Sequence, residues 1–283
     1  MLFMDWTFIA YSIYVPFLIF IYILENAAIF KHRNNIFSSS FYKIFMVLST
    51  VNIFACLVGS FISRLNLYPI VNSFYAGLME FSPWLNLAYF ATYYLNCFSE
   101  FLGLFMAFSL FTALYFPLTH NKIWERGFYI GVFICLTVSI APVWNLLDDT
   151  DEVVPKRVCE IRFIQISIYF NMLIVTVVCN VASFLLYISC ILRLLLYSSS
   201  RNHRAERNFF LVGFITMICS IPYMIAMLVF GLNLSVEEGQ NADIPLLLFV
   251  AFQLPWLTDL KYLTPAPMLL ITNISIRRAI SKM

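Results

Sequence analysis

Apolar runs of about twenty residues or more, separated by short polar interruptions, dominate this chain. Seven such runs lie at 8–30, 41–62, 91–115, 127–147, 165–192, 209–231 and 244–271. A helix needs about 20 apolar residues to cross the hydrocarbon core of a bilayer, so each run predicts one transmembrane helix. The apolar residues are contiguous within each run and do not alternate with polar ones, which argues against a β-barrel. The pattern predicts an all-α membrane protein: a single domain over 1–283 built as a seven-transmembrane helix bundle, with a short tail from 272. The stretch 67–90 is only half apolar and is interrupted by Pro69, Glu80 and Pro83. It reads as a long connection into the third span. The first run has no basic segment before it and is too long for the core of a signal peptide, so it reads as a span.

Composition narrows the classes. Hydrophobic residues make up 62% of the chain and charged residues 11%, against roughly 45–50% and about 25% in ordinary soluble proteins. A soluble fold could not cover its surface with so few charges. A net charge of +2 gives no field for nucleic acid. The principal surroundings are the lipid bilayer.

Charge placement predicts orientation. With seven spans, Lys31, Arg33, Lys43, Lys122, Arg126, Arg193, Arg201, Arg204, Arg207, Arg277, Arg278 and Lys282 share one side. Only Arg64, Lys156, Arg157 and Arg162 lie on the other, and Lys261 falls inside the last span. Lys and Arg accumulate on the cytoplasmic side. The expected topology is therefore N-terminus outside and C-terminus cytoplasmic.

Little in the chain points to catalysis, metal or cofactor. There is no Gly-rich phosphate loop. His32, His120 and His203 fall in three separate predicted loops, without metal-ligand spacing, and read as solvated or lipid-facing. Six of the seven cysteines lie in predicted spans, and Cys159 lies in an outer loop. It reads as a free thiol. The sequon Asn233-Leu234-Ser235 abuts the sixth span.

Ionisable groups at membrane depth are costly and point to function. Glu25, near the inner end of the first span, reads as structural, with its carboxyl snorkelling to the interface. Tyr93, Asn96 and Glu100 recur at helical spacing and share one face of the third span, which should point into the bundle. That face is either the wall of a ligand pocket or a buried polar lock between helices. Asp259 and Lys261 lie in the seventh span on different faces. Asp259 could face Glu100 or a ligand amine, or Lys261 could pair with Glu100 instead. Interior prolines mark weak points: Pro222 in the sixth span, and Pro255, Pro265 and Pro267 in the seventh. Pro222 and Pro267 are the candidate hinges.

The chain resembles the nematode serpentine chemoreceptors, the class gamma and class V seven-helix G-protein-coupled receptors. The resemblance rests on the third span from Tyr93 through Phe116-Pro117, on the following His120-Asn121-Lys122-Ile123-Trp124, on Cys219-Ser220-Ile221-Pro222, and on Asp259, Leu263, Pro267 and Ile276-Arg277 in the last segment. It implies a receptor that binds a small molecule from outside, with Tyr93, Asn96, Glu100, Asp259 and Lys261 as candidate ligand residues. It also implies a heterotrimeric G protein as partner, met by Leu110, Tyr115, Lys122, Arg126, Arg204, Arg207 and Arg277. A plasma-membrane location follows, in a sensory cilium by the same resemblance, with homo- or heterodimerisation left open. One departure bears on coupling: Leu110 occupies the place where such receptors usually carry Arg. Two other readings stay open. One is a small transporter using Glu100, Asp259 and Lys261 as a relay. The other is a receptor-derived protein that no longer couples.

Overall fold

The computed structural model describes residues 2–33, 37–63, 82–144, 166–196, 204–235 and 244–283. They are helical, with no strand among them. The order is α1 (Leu2–Lys31), α2 (Ser40–Ser63), α3 (Ser82–Tyr115), α4 (Pro117–Val138), a 3-10 turn (Ala141–Val143), α5 (Ile166–Leu196), α6 (Arg204–Ser235), α7 (Ile244–Leu263), α8 (Pro265–Thr272) and α9 (Ile274–Ile280). Among the described residues, six segments are long and apolar enough to cross a membrane: Ala10–Lys31, Ser40–Phe61, Leu87–Tyr115, Pro117–Val143, Phe170–Leu196 and Phe209–Leu232. The seventh helical run is α7 followed by α8. It carries Gln253, Thr258, Asp259 and Lys261 among apolar neighbours.

α3 is the central element, packing on α2, α4, α5 and α6. α7 packs on α6 and α2, and α8 on α6 and α1. The outward faces carry exposed Phe17, Phe20, Tyr129, Phe133, Phe184 and Leu185. Such faces suit lipid, where association rests on close packing and interhelical polar contacts more than on hydrophobic exclusion. Two glycines allow tight approach. A Cβ on Gly131 of α4 would lie 2.1 Å from the Phe105 ring of α3, and one on Gly213 of α6 would lie 2.2 Å from the Tyr187 hydroxyl of α5.

The span boundaries need two corrections. α4 does not begin at 127 after a loop. It begins at Pro117, directly after α3, and its regular part ends at Val138. Pro117 at the first helical position has the φ a helix needs and no amide hydrogen to leave unsatisfied. Lys122, Glu125 and Arg126, which read as loop residues, are exposed on the first turns of that helix. The seventh run is also not one continuous helix. It breaks at Thr264, where Pro265 and Pro267 remove the amide donors that would serve the carbonyls of Lys261 and Leu263. α3 starts at Ser82, with Pro83 in its first turn. Cys159 and residues 67–81 of the long connection lie outside the described residues.

Candidate functional site

The polar side chains of the bundle interior converge on Lys261 and Tyr262, in the last turn of α7. Nζ of Lys261 donates to Oε1 of Glu100 on α3 at 2.5 Å, and both side chains are 7% exposed. The same ammonium lies 4.8 Å from the ring centroids of Tyr223 on α6 and of Tyr262. The other Glu100 oxygen accepts from Asn180 Nδ2 on α5 at 3.4 Å, and Asn180 Oδ1 accepts from the Ser220 hydroxyl on α6. One ion pair and its hydrogen bonds therefore bind four helices.

Tyr262 ties in the rest. Its hydroxyl donates to Asn96 Oδ1 on α3. Its carbonyl accepts from the Tyr22 hydroxyl of α1 at 2.5 Å and from Asn52 Nδ2 of α2 at 3.2 Å, while Asn52 Oδ1 accepts from the Ser99 hydroxyl of α3 at 2.7 Å. The proline-weakened end of α7 is thus held from two sides by side chains of other helices. A broken helix in a membrane is tolerated where neighbours support its backbone, and here side chains of α1 and α2 hold the Tyr262 carbonyl, between the two carbonyls the prolines free.

Asp259 points elsewhere. Its carboxylate accepts from the Tyr14 hydroxyl of α1 and from the Cys56 thiol of α2, the latter at 3.8 Å. It therefore does not face Glu100, and of the two arrangements the sequence left open it is Lys261 that pairs with Glu100.

A narrow cleft runs from this network between α2, α3, α5, α6 and α7. Asn52, Glu100, Asn180, Ser220 and Lys261 form its polar wall, and Met106, Tyr187 and Gly213 carry it toward the end where α3 finishes and α6 begins. Tyr93 and Asn96 lie on the opposite side of the ion pair. Tyr93 packs there, half-buried, against the cluster of Cys97, Met172, Tyr223 and Met227.

The end at which α3 finishes carries a second cluster. His120 Nε2 lies 3.0 Å from the Ser40 hydroxyl of α2, and Nδ1 lies 3.1 Å from the Thr112 hydroxyl of α3. Ser40 also meets Ser109 of α3 at 2.9 Å, and the Trp124 indole of α4 donates to Thr112 at 2.8 Å. His120 is therefore a half-buried bridge between helices, correcting its reading as a solvated loop residue. The cause is again the early start of α4, which places His120 and Trp124 one turn apart on a face turned to α3. Leu110 is buried in the apolar core beside this cluster. The Tyr115 hydroxyl donates to the Ser189 carbonyl of α5 at 3.1 Å, and Arg193 stacks over the Tyr115 ring at 5.4 Å.

Glu25 requires a further correction. It does not snorkel. It is 0% exposed, and neither carboxyl oxygen has a hydrogen-bond partner. Its face of α1 also carries Tyr22, Ala28 and Ile29, all buried, so the helix turns it inward.

Among the other predicted positions, Arg277 is exposed on α9, and Arg204 and Arg207 fall in the first turn of α6. Pro222 is exposed on α6, two residues beyond Ser220, and Pro267 is half-buried in α8. The sequence reading omitted Tyr22, Asn52, Ser99, Asn180, Ser220 and Tyr262 from the site. A signal was available for Asn52 and Asn180, since an amide in the middle of an apolar span is as unusual as a charge and seeks a partner in another helix.

A family model described as Srg family chemoreceptor matches residues 7–280. No individual curated protein matches the chain.

Proposed function

This chain belongs to the Srg chemoreceptor family, and on that premise we propose that it is a G-protein-coupled chemosensory receptor that reads a small molecule through the polar network around Glu100 and Lys261. It is a multi-pass membrane protein. The N-terminus faces outward and the basic ends of the helices face the cytoplasm, in line with the Lys and Arg distribution. α7 with α8 forms the seventh crossing.

The observation that carries the reading is the buried Glu100–Lys261 pair, joined to α5 and α6 through Asn180 and Ser220. An ion pair at membrane depth has few partners to choose from. A ligand reaching it from the outer side, past Tyr93 and Asn96, competes for those partners. Its differential affinity for two arrangements of the pair then shifts the bundle between two states. Asn180 and Ser220 tie the pair to α6 two residues before Pro222, and the weakened α7–α8 junction adjoins Tyr262, so rearrangement at the pair reaches the two helices best suited to bend. Asp259, bound on the α1–α2 side, plays no direct part in this contact. Lys122, Arg126, Arg204, Arg207 and Arg277 form the basic cytoplasmic rim that meets the heterotrimeric G protein.

The test is ligand-dependent second-messenger or calcium output from cells expressing the protein, across a chemical panel. Uptake of the same compounds into proteoliposomes without any signalling output would favour a transporter instead.

One observation supports a second reading, a receptor-derived protein that no longer couples. Leu110, at the place of the usual Arg, is 3% exposed in the apolar core, and His120, Thr112 and Trp124 already tie the helix ends beside it. If Leu110→Arg creates constitutive output where the unmodified protein gives none with any ligand, this second reading holds.

A further inference from the structure

The corner where α1 meets α9 collects positive charge, and among the described residues no ion pair neutralises it. Lys31 and Arg33 are exposed at the end of α1, and Arg277, Arg278 and Lys282 are exposed on and just beyond α9. Neither 26–79 nor 260–283 contains an Asp or Glu, so this corner draws no acidic neighbour from its own chain segments. The basic residues sit beside exposed apolar side chains: Phe30 on α1, Ile271 at the end of α8 and Ile274 at the start of α9. Arg33 stacks over the Phe30 ring at 4.4 Å, holding a guanidinium against an outward-facing apolar side chain.

α9 is fixed in this position. Asn273 caps it by accepting from the amides of Ser275 and Ile276, and the same side chain donates to the Tyr42 hydroxyl of α2 at 2.8 Å. Ile276 and Ala279 are buried, while Ile274, Arg277 and Arg278 face outward. The short helix therefore packs its apolar face on α1 and leaves its cationic face free. A ligand that fits has an anionic head at the level of the arginines and an apolar tail at the level of Phe30, Ile271 and Ile274.

We infer that the α1–α9 corner is a binding site for the headgroup of an anionic phospholipid. The inference does not rest on the ligand or G-protein reading, although Arg277 is shared with the rim assigned to the G protein. Each Lys or Arg near an anionic membrane surface contributes a factor of about five in affinity, and the contribution weakens as salt screens it.

The experiment uses the full-length protein, purified in mild detergent and titrated with phosphatidylserine or phosphatidylcholine, with lipids retained per protein counted by native mass spectrometry. The unmodified protein should retain phosphatidylserine at least tenfold more tightly than phosphatidylcholine. Phosphatidylglycerol, which shares only the negative charge, should match phosphatidylserine. The variant Arg277→Gln/Arg278→Gln/Lys282→Gln should lose most of that preference. The control Lys122→Gln/Arg126→Gln, on α4 beside Glu125, should keep it. If the triple variant folds poorly, Lys31→Gln/Arg33→Gln tests the same corner from the α1 side and should weaken retention by roughly 10-fold or more. Equal retention of both lipids by the unmodified protein would overturn the inference. So would equal loss in the α4 control, or a triple variant that keeps its lipid and loses only a protein partner.

Discussion

Replacing Lys261 with Met should be among the most damaging single changes in the interior. Lys261 and Glu100 are each 7% exposed and meet at 2.5 Å. Without Lys261, Glu100 keeps among the described residues the Asn180 amide at 3.4 Å, a long contact for a hydrogen bond to a charged acceptor. Leaving one member of a buried pair uncompensated costs about 3–5 kcal/mol. For a chain of this length that corresponds to a fall in melting temperature of roughly 6–10 °C. The reverse change, Glu100→Leu, should cost less. Lys261 would still face the rings of Tyr223 and Tyr262, each at 4.8 Å, and a desolvated cation over an aromatic face regains up to about 2 kcal/mol. The double variant Lys261→Met/Glu100→Leu should recover to within about 1 kcal/mol of the unmodified protein, because an apolar pair of similar size often replaces a buried ion pair without loss. Thermal unfolding of the four proteins in detergent, read as a double-mutant cycle, gives the coupling directly. A double variant that loses the sum of the two single losses would refute the reasoning.

Three other expectations follow from the same structure. Glu25→Leu should leave thermal stability unchanged or raise it, because neither carboxyl oxygen has a partner to lose; a fall as large as that of Lys261→Met would mean the carboxyl holds something essential. Gly131→Val should destabilise by about 1–3 kcal/mol, since the Phe105 ring already fills the space of a Cβ and is backed by Trp124 at 4.7 Å; unchanged melting would show that α3 and α4 separate more freely than their packing implies. Trp124→Phe removes the donor to Thr112 and should cost about 1–2 kcal/mol, with amide exchange rising at the junction of α3 and α4; unaltered exchange there would show that the cluster does not hold the helix ends.

The helical bundle was legible in the sequence because lipid imposes a simple rule on the backbone. Each crossing must be a long apolar helix, and six such segments stand near the places their hydropathy marked. Boundaries that depend on local chemistry were less legible. The charges Lys122, Glu125 and Arg126 resembled a loop, yet Pro117 starts a helix before them and long side chains at a membrane edge let the helix continue. The pairing of Glu100 with Lys261 was one of two arrangements the spacing allowed, and only the rotation of α7 settled it, sending Asp259 toward α1 and α2. Glu25 was misread because snorkelling depends on the direction a helix face takes, which a run of uniformly apolar neighbours does not encode. The same uniformity hid Asn52 and Asn180. Their roles arise from partners forty or more residues away, Tyr262 and Ser99 for Asn52, Glu100 and Ser220 for Asn180.

The claim that a small molecule is read at the Glu100–Lys261 pair meets its most direct test in binding to purified protein. Once cells expressing the receptor reveal an activating compound, its affinity should be measured for the unmodified protein, for Glu100→Gln and for Lys261→Met, each confirmed as folded. The account predicts that both variants lose at least tenfold in affinity. Unchanged affinity in both folded variants would contradict it and place the ligand elsewhere in the bundle.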